Sequence, residues 1–187
     1  KPIDRITFNE LRELSYMGAE VLHEDAVFPV REKNIPLYIK NTNDITAEGT
    51  LIMENIEDDE SVKETHFVTG ISGKKHFSLI TISKSKLSEQ GGYMRKTLEI
   101  AEKYGIIPEH IPSSIDSFSL LVSTPSLERH LHELITEITE KLSPDSVKVV
   151  NHLSLVAVVG RNMASQPGTS GKLFAALGKN GINVRMI

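Results

Sequence analysis

The chain has 187 residues, of which 39% are hydrophobic and 25% are charged, as in an ordinary soluble globular protein. Its formal net charge of −4 gives no reason to expect nucleic acid or an anionic membrane as a partner. The absence of cysteine excludes a disulfide framework and thiolate metal sites, and it fits a cytoplasmic protein. No apolar run is long enough to span a bilayer, and the first residues lack the pattern of a signal peptide.

The first part of the chain predicts the order helix, helix, strand, which is typical of the end of an α/β domain. Thr7 and Glu10 have the spacing of a capping box, and apolar residues follow them at helical spacing. A second helix is expected over about residues 21–33, with Pro29 bending it or marking its start. The stretch 36–41 then alternates apolar and polar residues as a strand does.

The second part of the chain begins after an acidic stretch at 53–65, which is poor in large apolar residues and is interpreted as a linker. Two strand candidates, 66–72 and 76–83, flank Gly73, and this arrangement predicts a chain reversal at the glycine. A helix is expected from about residue 92 to 104, and the glycine that follows it suits a left-handed C-cap.

The remaining elements repeat this pattern. Strands are expected at IIPEHIP and SFSLLVS, followed by one long helix that begins at Thr124 with Pro125 in its first turn. VKVVNHL and SLVAVVG predict a second strand pair, a glycine-bearing loop leads to another helix, and INVRMI begins a last strand. The chain therefore contains one βαββα set and the start of a second, and both of its ends have the character of cuts.

Comparison of the chain with itself supports an internal repeat. An offset of 76 residues superposes KYGI at 103–106 on KNGI at 179–182. The same offset superposes Gly92 on Gly168 and SLITI on SLVAV. Several matches at one offset indicate that one unit is present twice.

The loops before the two repeated helices, LSEQGGYM and SQPGTSGK, both place glycine where a helix begins. Free backbone N–H groups and the helix dipole make such a position a seat for a carboxylate, although relief of a tight turn also explains a glycine there. We expect the carboxylate of a free amino acid to face the N–H groups of residues 91–94, and its ammonium to face carbonyls at 107–109. The residues assigned to this pocket are Leu87, Gln90, Gly91, Gly92, Tyr93, Met94, Ile107, Pro108, Glu109, Ser113, Ser114 and Asp116.

Other residues with reactive side chains do not form a pattern of their own. His130 and His132 lie two apart on a predicted helix and point to different faces, so they do not make a metal site. The acidic run 57–60 suits an exposed linker, and His23 is interpreted as a packing or hydrogen-bonding residue. The sequence therefore predicts no catalytic residue and no metal site in this chain.

Several longer segments resemble one family. LRELSYMGAEVLHEDAVFPV, IPLYIKNTND and EGTLI resemble the C-terminal end of the kinase domain of aspartokinases. VTGISGKKHFSLITI, the helix leading to EKYGI, and VAVVGRNM through ALGKNGINVRMI resemble the tandem ACT domains that follow it. The resemblance implies an α+β fold, with tandem ferredoxin-like βαββαβ ACT units preceded by the last helices and strand of an α/β amino-acid kinase domain.

The same resemblance implies domain boundaries. Residues 1–52 would end the kinase domain, 53–65 would be the linker, 66–145 would form the first ACT domain, and 146–187 an incomplete second one. Because the family inserts the first ACT unit into the second, the strand at 66–72 is expected to join the sheet of the second unit.

In function, the resemblance implies a parent enzyme that transfers the γ-phosphoryl group of ATP, bound with Mg²⁺, to the side-chain carboxylate of L-aspartate. The ACT pair would bind an end-product amino acid for feedback inhibition and would form a homodimer. This chain lacks the KxGGTS-type segment of these kinases, so it is expected to be inactive alone and to hold no cofactor. The family's nucleotide site implies a role for Asn43 and Asp44; the family often has lysine in place of Asn43, and a simple Asn-Asp turn is the alternative interpretation.

Two points stay open at this stage: which amino acid is the effector, and whether the chain is part of an aspartokinase. Glu109 and Asp116 would receive the side-chain ammonium of lysine, whereas Ser113 or Ser114 would pair with the hydroxyl of threonine, and charge alone favours lysine. A free-standing ACT-type module for amino-acid binding or dimerisation is the alternative to an aspartokinase region. The N-terminal helices favour the aspartokinase, because their apolar faces require a larger domain to cover them. An intact small enzyme is disfavoured by the missing phosphate loop.

Overall fold

A computed structural model describes residues 3–19, 22, 24–44, 46–56, 68–161, 163 and 167–187. The chain forms two compact units. The first combines residues 1–74 with 156–183, and the second combines residues 75–155 with 184–187. Two long strands, β4 (Gly70–Ser83) and β7 (Ser146–Val159), contribute residues to both units.

The first unit contains a small sheet made of β1 (Arg5–Thr7), β2 (Leu37–Ile39) and β3 (Thr50–Met53). The strand order is β1-β3-β2, with β1 parallel and β2 antiparallel to β3. Two helices accompany this sheet, α1 (Phe8–Tyr16) and α2 (Glu24–Glu32). Apolar side chains of the sheet and of α1 form one core, because the helical spacing in α1 places them on one face. The buried members of this core are Ile6, Phe8, Leu11, Leu14, Ile52 and Val159.

The predicted capping box at the start of α1 is confirmed. The Thr7 hydroxyl accepts a hydrogen bond from the Glu10 amide at 3.2 Å, and the Glu10 carboxylate accepts one from the Thr7 amide at 2.9 Å. At the other end, Gly18 has a φ of 105° and its amide donates to the Ser15 carbonyl. This left-handed glycine ends α1 in the usual way. The second predicted helix is present as α2, with Pro29 in its interior and not at its start.

The second unit has the order β4, α3 (Tyr93–Lys103), β5 (Pro108–His110), β6 (Ser117–Ser123), α4 (Thr124–Glu128), α5 (Leu131–Leu142), β7. Its sheet has the strand order β5-β6-β4-β7, and β6 is antiparallel to both β4 and β5. Two parallel strands separated by an antiparallel one are the mark of the βαββαβ ferredoxin-like arrangement. The predicted fold class is therefore confirmed.

The core of the second unit lies between the sheet and its helices. Alternate residues of β4 and β6 point to this side, as expected for strands with one covered face. The fully buried residues with less than 2% exposure are Ile80, Ile82, Ala101, Ile106, Phe118, Leu120, Val122, Leu127, Leu134 and Ile138. Because α3 and α5 both contribute to this list, the sheet and the two helices share one core.

The predicted reversal at Gly73 and the predicted strand pair VKVVNHL and SLVAVVG are both wrong. Residues 70–83 and 146–159 instead form two continuous strands of 14 residues each, β4 and β7. The favoured two-residue hairpin turns need positive φ, and Gly73 does not adopt it. The left-handed conformation falls instead on a single residue inside each strand, His76 with φ 66° and His152 with φ 61°.

The internal repeat is confirmed at the level of backbone geometry. His76 and His152 are separated by the same 76 residues as the matched segments of sequence. The helices α3 and α6 (Thr169–Lys179) also begin and end at this offset, each after a left-handed glycine, Gly92 or Gly168. Each helix then ends before another left-handed glycine, with φ 66° and 69°. The same arrangement of strand, left-handed glycine and helix therefore occurs twice in the chain.

Other boundaries differ from the expectations. The helix predicted from Thr124 is interrupted at His130, whose φ of −135° is not helical, and so becomes α4 and α5. Residues 182–187 form no strand, since no described strand pairs with them. The strands β1 and β3 were not predicted, because three or four residues are too few to show a periodic pattern. Much of the predicted linker lies outside the described residues, and the domain boundaries stay a prediction.

Candidate functional site

The start of α3 has the geometry of an anion seat. Gly92 is its N-cap, with φ 80° and ψ 2°, and contributes no side-chain hydrogen bond to the helix. A Cβ on Gly91 would meet nothing within 4 Å, so the backbone is open on that side. The first turn of a helix leaves its N–H groups without intrahelical partners, and the dipole favours a negative charge there. The Tyr93 amide donates to the Gln90 carbonyl at 3.4 Å, so the other amides at the start of α3 are those best placed to bind a carboxylate.

The loop between β4 and α3 is held by two aspartates. The Asp116 carboxylate accepts a hydrogen bond from the Lys86 amide at 2.9 Å. The Asp145 carboxylate accepts bonds from the amide and hydroxyl of Ser85, at 2.6 Å and 2.5 Å. These bonds, together with nearby Lys84, lower the pKa of Asp145. The sequence analysis missed Asp145, because its partners lie 60 residues away and leave no local signal.

Predicted site residues Ser113, Ser114 and Asp116 lie at the same end of the sheet as this loop. Ser83, the last residue of β4, pairs with Ser117, and Ser113 forms an isolated bridge with Phe118. Ser113, Ser114 and Asp116 are all exposed. The structure thus brings them to the end of the sheet that leads into Leu87, Gln90 and the start of α3.

Tyr93 and Met94 contribute less than the prediction assigned to them. Tyr93 is 6% exposed and its ring packs edge-on against Phe118, with ring centroids 6.4 Å apart. Burial first, and then the charge of Asp145, raises the pKa of the Tyr93 phenol. The buried hydroxyl has no hydrogen-bond partner among the described residues. The side chain of Met94 is partly buried against the same core, so both residues present mainly their backbone to the proposed seat.

Residues 107–109 do not adjoin Gly91 and Gly92 within one chain. They follow the C-terminal end of α3, and Pro108 pairs with Val122, which itself pairs with Ser78 near the start of β4. The 11 residues of α3 separate its two ends by about 16 Å at 1.5 Å per residue. An amino acid cannot place its carboxylate at one end and its ammonium at the other. The expectation of one pocket within one chain is therefore wrong.

The structure also changes how the seat can be tested by mutation. The sequence alone favours a bulky β-branched residue at Gly92 as the test, on the expectation that the helix from Met94 onward stays intact. Since Gly92 has a φ of 80°, any other residue there is strained and would disturb the start of α3. Gly91 has no such conformation and an open side, so it is the position where a side chain can be added at little cost.

The proposed nucleotide pair lies in an exposed loop after β2. The Asp44 carboxylate accepts bonds from the amide and hydroxyl of Thr46, at 3.1 Å and 2.7 Å, and these bonds lower the pKa of Asp44. The Asn43 amide donates to the side chain of Asn41 at 3.0 Å. These contacts are those of side chains that stabilise their own turn. A role of Asn43 and Asp44 in nucleotide binding stays a prediction.

A further charged cluster on α3 and α5 was not predicted. It lines an open depression of about 570 Å³ and centres on Glu137, which contacts Lys103, Tyr104 and Lys141. Of the two histidines considered earlier, His132 lines this depression, and His130 lies beside the ring of Tyr104. The described part of the chain holds no group of three or more His, Asp or Glu side chains suited to a metal ion.

Comparisons with known proteins agree with this architecture. A family profile for the ACT domain matches residues 156–187, and one for the amino acid kinase family matches residues 1–41. Aspartokinase 3 of Bacillus subtilis is 35% identical over 188 residues, covering 100% of this chain and 40% of the relative. The crystal structure of aspartate kinase from Clostridium acetobutylicum matches with a TM-score of 0.90 at 45% identity, covering 100% of this chain and 42% of that one. Over its full length, the chain is therefore similar to aspartokinases.

The chain corresponds to a C-terminal portion of these aspartokinases and spans about two fifths of their length. E. coli aspartokinase III, solved in complex with lysine and aspartate, matches with a TM-score of 0.75 at 25% identity. That match covers 100% of this chain and 40% of the E. coli protein. Among the described residues, no helix combines the length and apolar character needed to cross a membrane.

Proposed function

We propose that this chain is the regulatory C-terminal region of an aspartokinase that acts in the cytoplasm. The parent enzyme would transfer the γ-phosphoryl group of ATP, bound with Mg²⁺, to L-aspartate, giving ADP and 4-phospho-L-aspartate. The observation that carries this proposal is the match to aspartokinases over the full length of the chain. The kinase-family match over residues 1–41 argues against a free-standing ACT module, which has no need of that segment.

The effector in this proposal is a free amino acid, with lysine favoured over threonine. The start of α3 supplies backbone N–H groups for the carboxylate, and Asp116 lies at the same end of the sheet to attract a cation. The E. coli aspartokinase III complex that contains lysine supports the choice. Binding of such an end product would inhibit the kinase.

A second copy of the chain would complete this site. β5 is an outer strand of its sheet, so two β5 edges can pair antiparallel about a two-fold axis. In that arrangement, the start of α3 in one copy would lie beside residues 107–109 of the other. The two halves of the predicted pocket, which lie at opposite ends of α3 within one chain, would then meet across the homodimer.

Calorimetric titration with lysine, threonine and methionine in turn tests the proposal. Gly91→Val should weaken binding of the effector about ten-fold or more, because loss of one charge-assisted hydrogen bond costs roughly 1.5 to 3 kcal/mol. Thermal unfolding should change little, since a Cβ at Gly91 meets open space. Gly171→Val is the matched control, because its Cβ also meets open space, on α6.

Two outcomes would contradict parts of this proposal. If none of the three amino acids binds, the effector role is wrong. If Gly91→Val binds as tightly as the unaltered chain, the seat lies elsewhere, and the equivalent loop before Gly168 is the next position to test. Glu109→Gln separates the two effectors, since it removes a charge that lysine uses and threonine does not. A silent Glu109→Gln therefore contradicts the choice of lysine.

A further inference from the structure

The buried carboxylate of Glu10 joins α1 to the ends of two long strands. Glu10 is only 6% exposed, and beyond its capping box it accepts a hydrogen bond from the Thr69 hydroxyl at 2.5 Å. The Nε atom of Arg161 lies 3.6 Å from the same carboxylate oxygen. Thr69 immediately precedes β4, and Arg161 follows β7 by two residues. Glu10 lies in residues 1–41, which match the amino acid kinase family and are called the kinase segment below. One carboxylate of this kinase segment therefore contacts residues at the ends of both β4 and β7.

The backbone beside Thr69 is packed closely against α1. A Cβ on Gly70 would lie 2.8 Å from Cδ1 of Leu14, and a Cβ on Gly18 would lie 3.2 Å from the Gly73 carbonyl oxygen. Gly70 is half-buried, whereas Gly18 and Gly73 are exposed. Contacts this close transmit displacements, because little space is left between the atoms to absorb them. We call this set of contacts the α1–β4 joint; its members are Glu10, Leu14, Gly18, Thr69, Gly70 and Gly73.

The strand that leaves this joint leads directly to the proposed effector seat. β4 continues to Ser83 through the left-handed residue His76, and its residues 77–83 are hydrogen-bonded to β6 in regular register. Lys84, the first residue of the loop between β4 and α3, donates its amide to the carbonyl of Asp116 at 2.9 Å. Because this one strand contains residues of both units, it connects the joint covalently to the residues that lead into α3.

We propose that the α1–β4 joint transmits effector binding at the start of α3 to the kinase segment, with Thr69 and Glu10 as positioning residues. The inference rests on the proposed regulatory function and adds the route by which it acts. Neither residue touches substrate or effector in this mechanism. The hydroxyl of Thr69 keeps α1 in register with β4, so that a movement of the strand also moves the helix.

Three variants distinguish the effect of the Thr69 hydroxyl from the effect of the packing between Gly70 and Leu14. Thr69→Val removes the hydroxyl at nearly constant shape, and Thr69→Ser keeps it as the matched control. Gly70→Ala leaves every hydrogen-bonding group in place but displaces the side chain of Leu14. If Thr69→Val fails to fold, Gly70→Ala keeps the proposal open to contradiction.

Hydrogen exchange of the α1 amides, measured with and without lysine, is the experiment on this chain. The unaltered chain and Thr69→Ser should show a change in α1 exchange when lysine binds. Thr69→Val and Gly70→Ala should still bind lysine by calorimetry but lose that change. In the full-length enzyme, both variants should keep aspartate-dependent ATP turnover and lose inhibition by lysine.

The outcomes distinguish this inference from the function on which it rests. If lysine binds and the two variants respond in α1 as the unaltered chain does, the joint does not transmit the signal. If lysine binds without any change in α1 of the unaltered chain, the inference is equally wrong while the effector role stands. If no amino acid binds the unaltered chain, the regulatory proposal fails and the inference fails with it.

Discussion

At the scale of single residues, Glu137 shows how one carboxylate fastens two helices. It accepts hydrogen bonds from Lys103 at 2.7 Å, from the Tyr104 hydroxyl at 2.6 Å and from Lys141 at 2.6 Å. Its side chain is only 11% exposed. These bonds, that of Lys103 first, lower the pKa of Glu137 from 4.5 to about 2. Since Lys103 lies at the end of α3 and Glu137 on α5, the cluster holds the two helices together.

The lowered pKa of Glu137 predicts a loss of stability in acid. The charged form is favoured in the folded state, so its contribution is fully present above the ordinary pKa near 4.5. It is lost as the pH falls toward the folded value of about 2. Glu137→Gln should therefore lower the melting temperature at pH 7 and flatten its decline between pH 5 and pH 2, as measured by circular dichroism. Glu140→Gln, one turn away and exposed, is the control; an equal effect there would contradict the prediction.

The capping box of α1 could be predicted from the sequence, and the Glu137 cluster could not. Thr7 and Glu10 are three residues apart, so their pairing follows from the local geometry of a helix start and was predicted. Glu137 meets Tyr104 across 33 residues of chain. This contact depends on how α3 and α5 pack against each other, and no spacing in the sequence predicts that packing.

At the scale of elements, β4 and β7 each contain one left-handed histidine. His76 and His152 each adopt positive φ inside a strand of 14 residues, at equivalent places of the repeat. A residue with a Cβ pays about 1 to 2 kcal/mol for this conformation. The sequence places a glycine nearby in β4, at Gly73, but the backbone does not use it for a turn. The sequence pattern therefore predicted an irregularity of the backbone near the right residue. It predicted a chain reversal, whereas the structure has a single left-handed residue inside a strand.

Glycine substitution tests this conformation. His76→Gly should leave stability unchanged or raise it by up to about 1 kcal/mol, because glycine relieves the left-handed strain while adding entropy to the unfolded chain. Lys75→Gly, at a neighbouring exposed position without positive φ, should lower stability by roughly 0.5 to 1 kcal/mol. Urea unfolding of both variants measures the difference. Equal losses in the two variants would show that the φ of His76 carries no strain.

At the scale of the whole molecule, the repeat was predictable from the sequence, and the separation of the two halves of the predicted pocket was not. Periodic matches at 76 residues, left-handed glycines and helix starts are local features, and they recur in the sequence as they recur in the backbone. The effector residues were predicted from one copy of the chain, on the assumption that neighbours in the motif are neighbours in space. The two ends of α3 separate them, because a helix converts 11 residues into a fixed length.

The two outer strands of the ferredoxin-like sheet differ in how they would meet a partner. β7 carries exposed polar residues within the second unit, Lys148 and Asn151 among them, and lysine on an edge strand discourages pairing. β5 instead lies beside exposed apolar residues, with Ile107 at 80% and Ile115 at 73% exposure. Apolar side chains next to an outer strand favour association there. We therefore expect two copies to pair through β5.

Ile107→Lys tests this dimer and the completed site together. A lysine near a two-fold axis would approach its own copy, so the like charges and the lost apolar area should shift the chain to a monomer, as measured by light scattering at high concentration. Folding should persist, because Ile107 is exposed and outside the core. Lysine affinity should fall in parallel, since residues 107–109 serve the partner's seat in this arrangement. Ile187→Lys, at a residue 85% exposed, is the control and should stay dimeric. A monomeric unaltered chain would contradict the dimer, and a dimer that Ile107→Lys leaves intact would place the interface elsewhere than at β5.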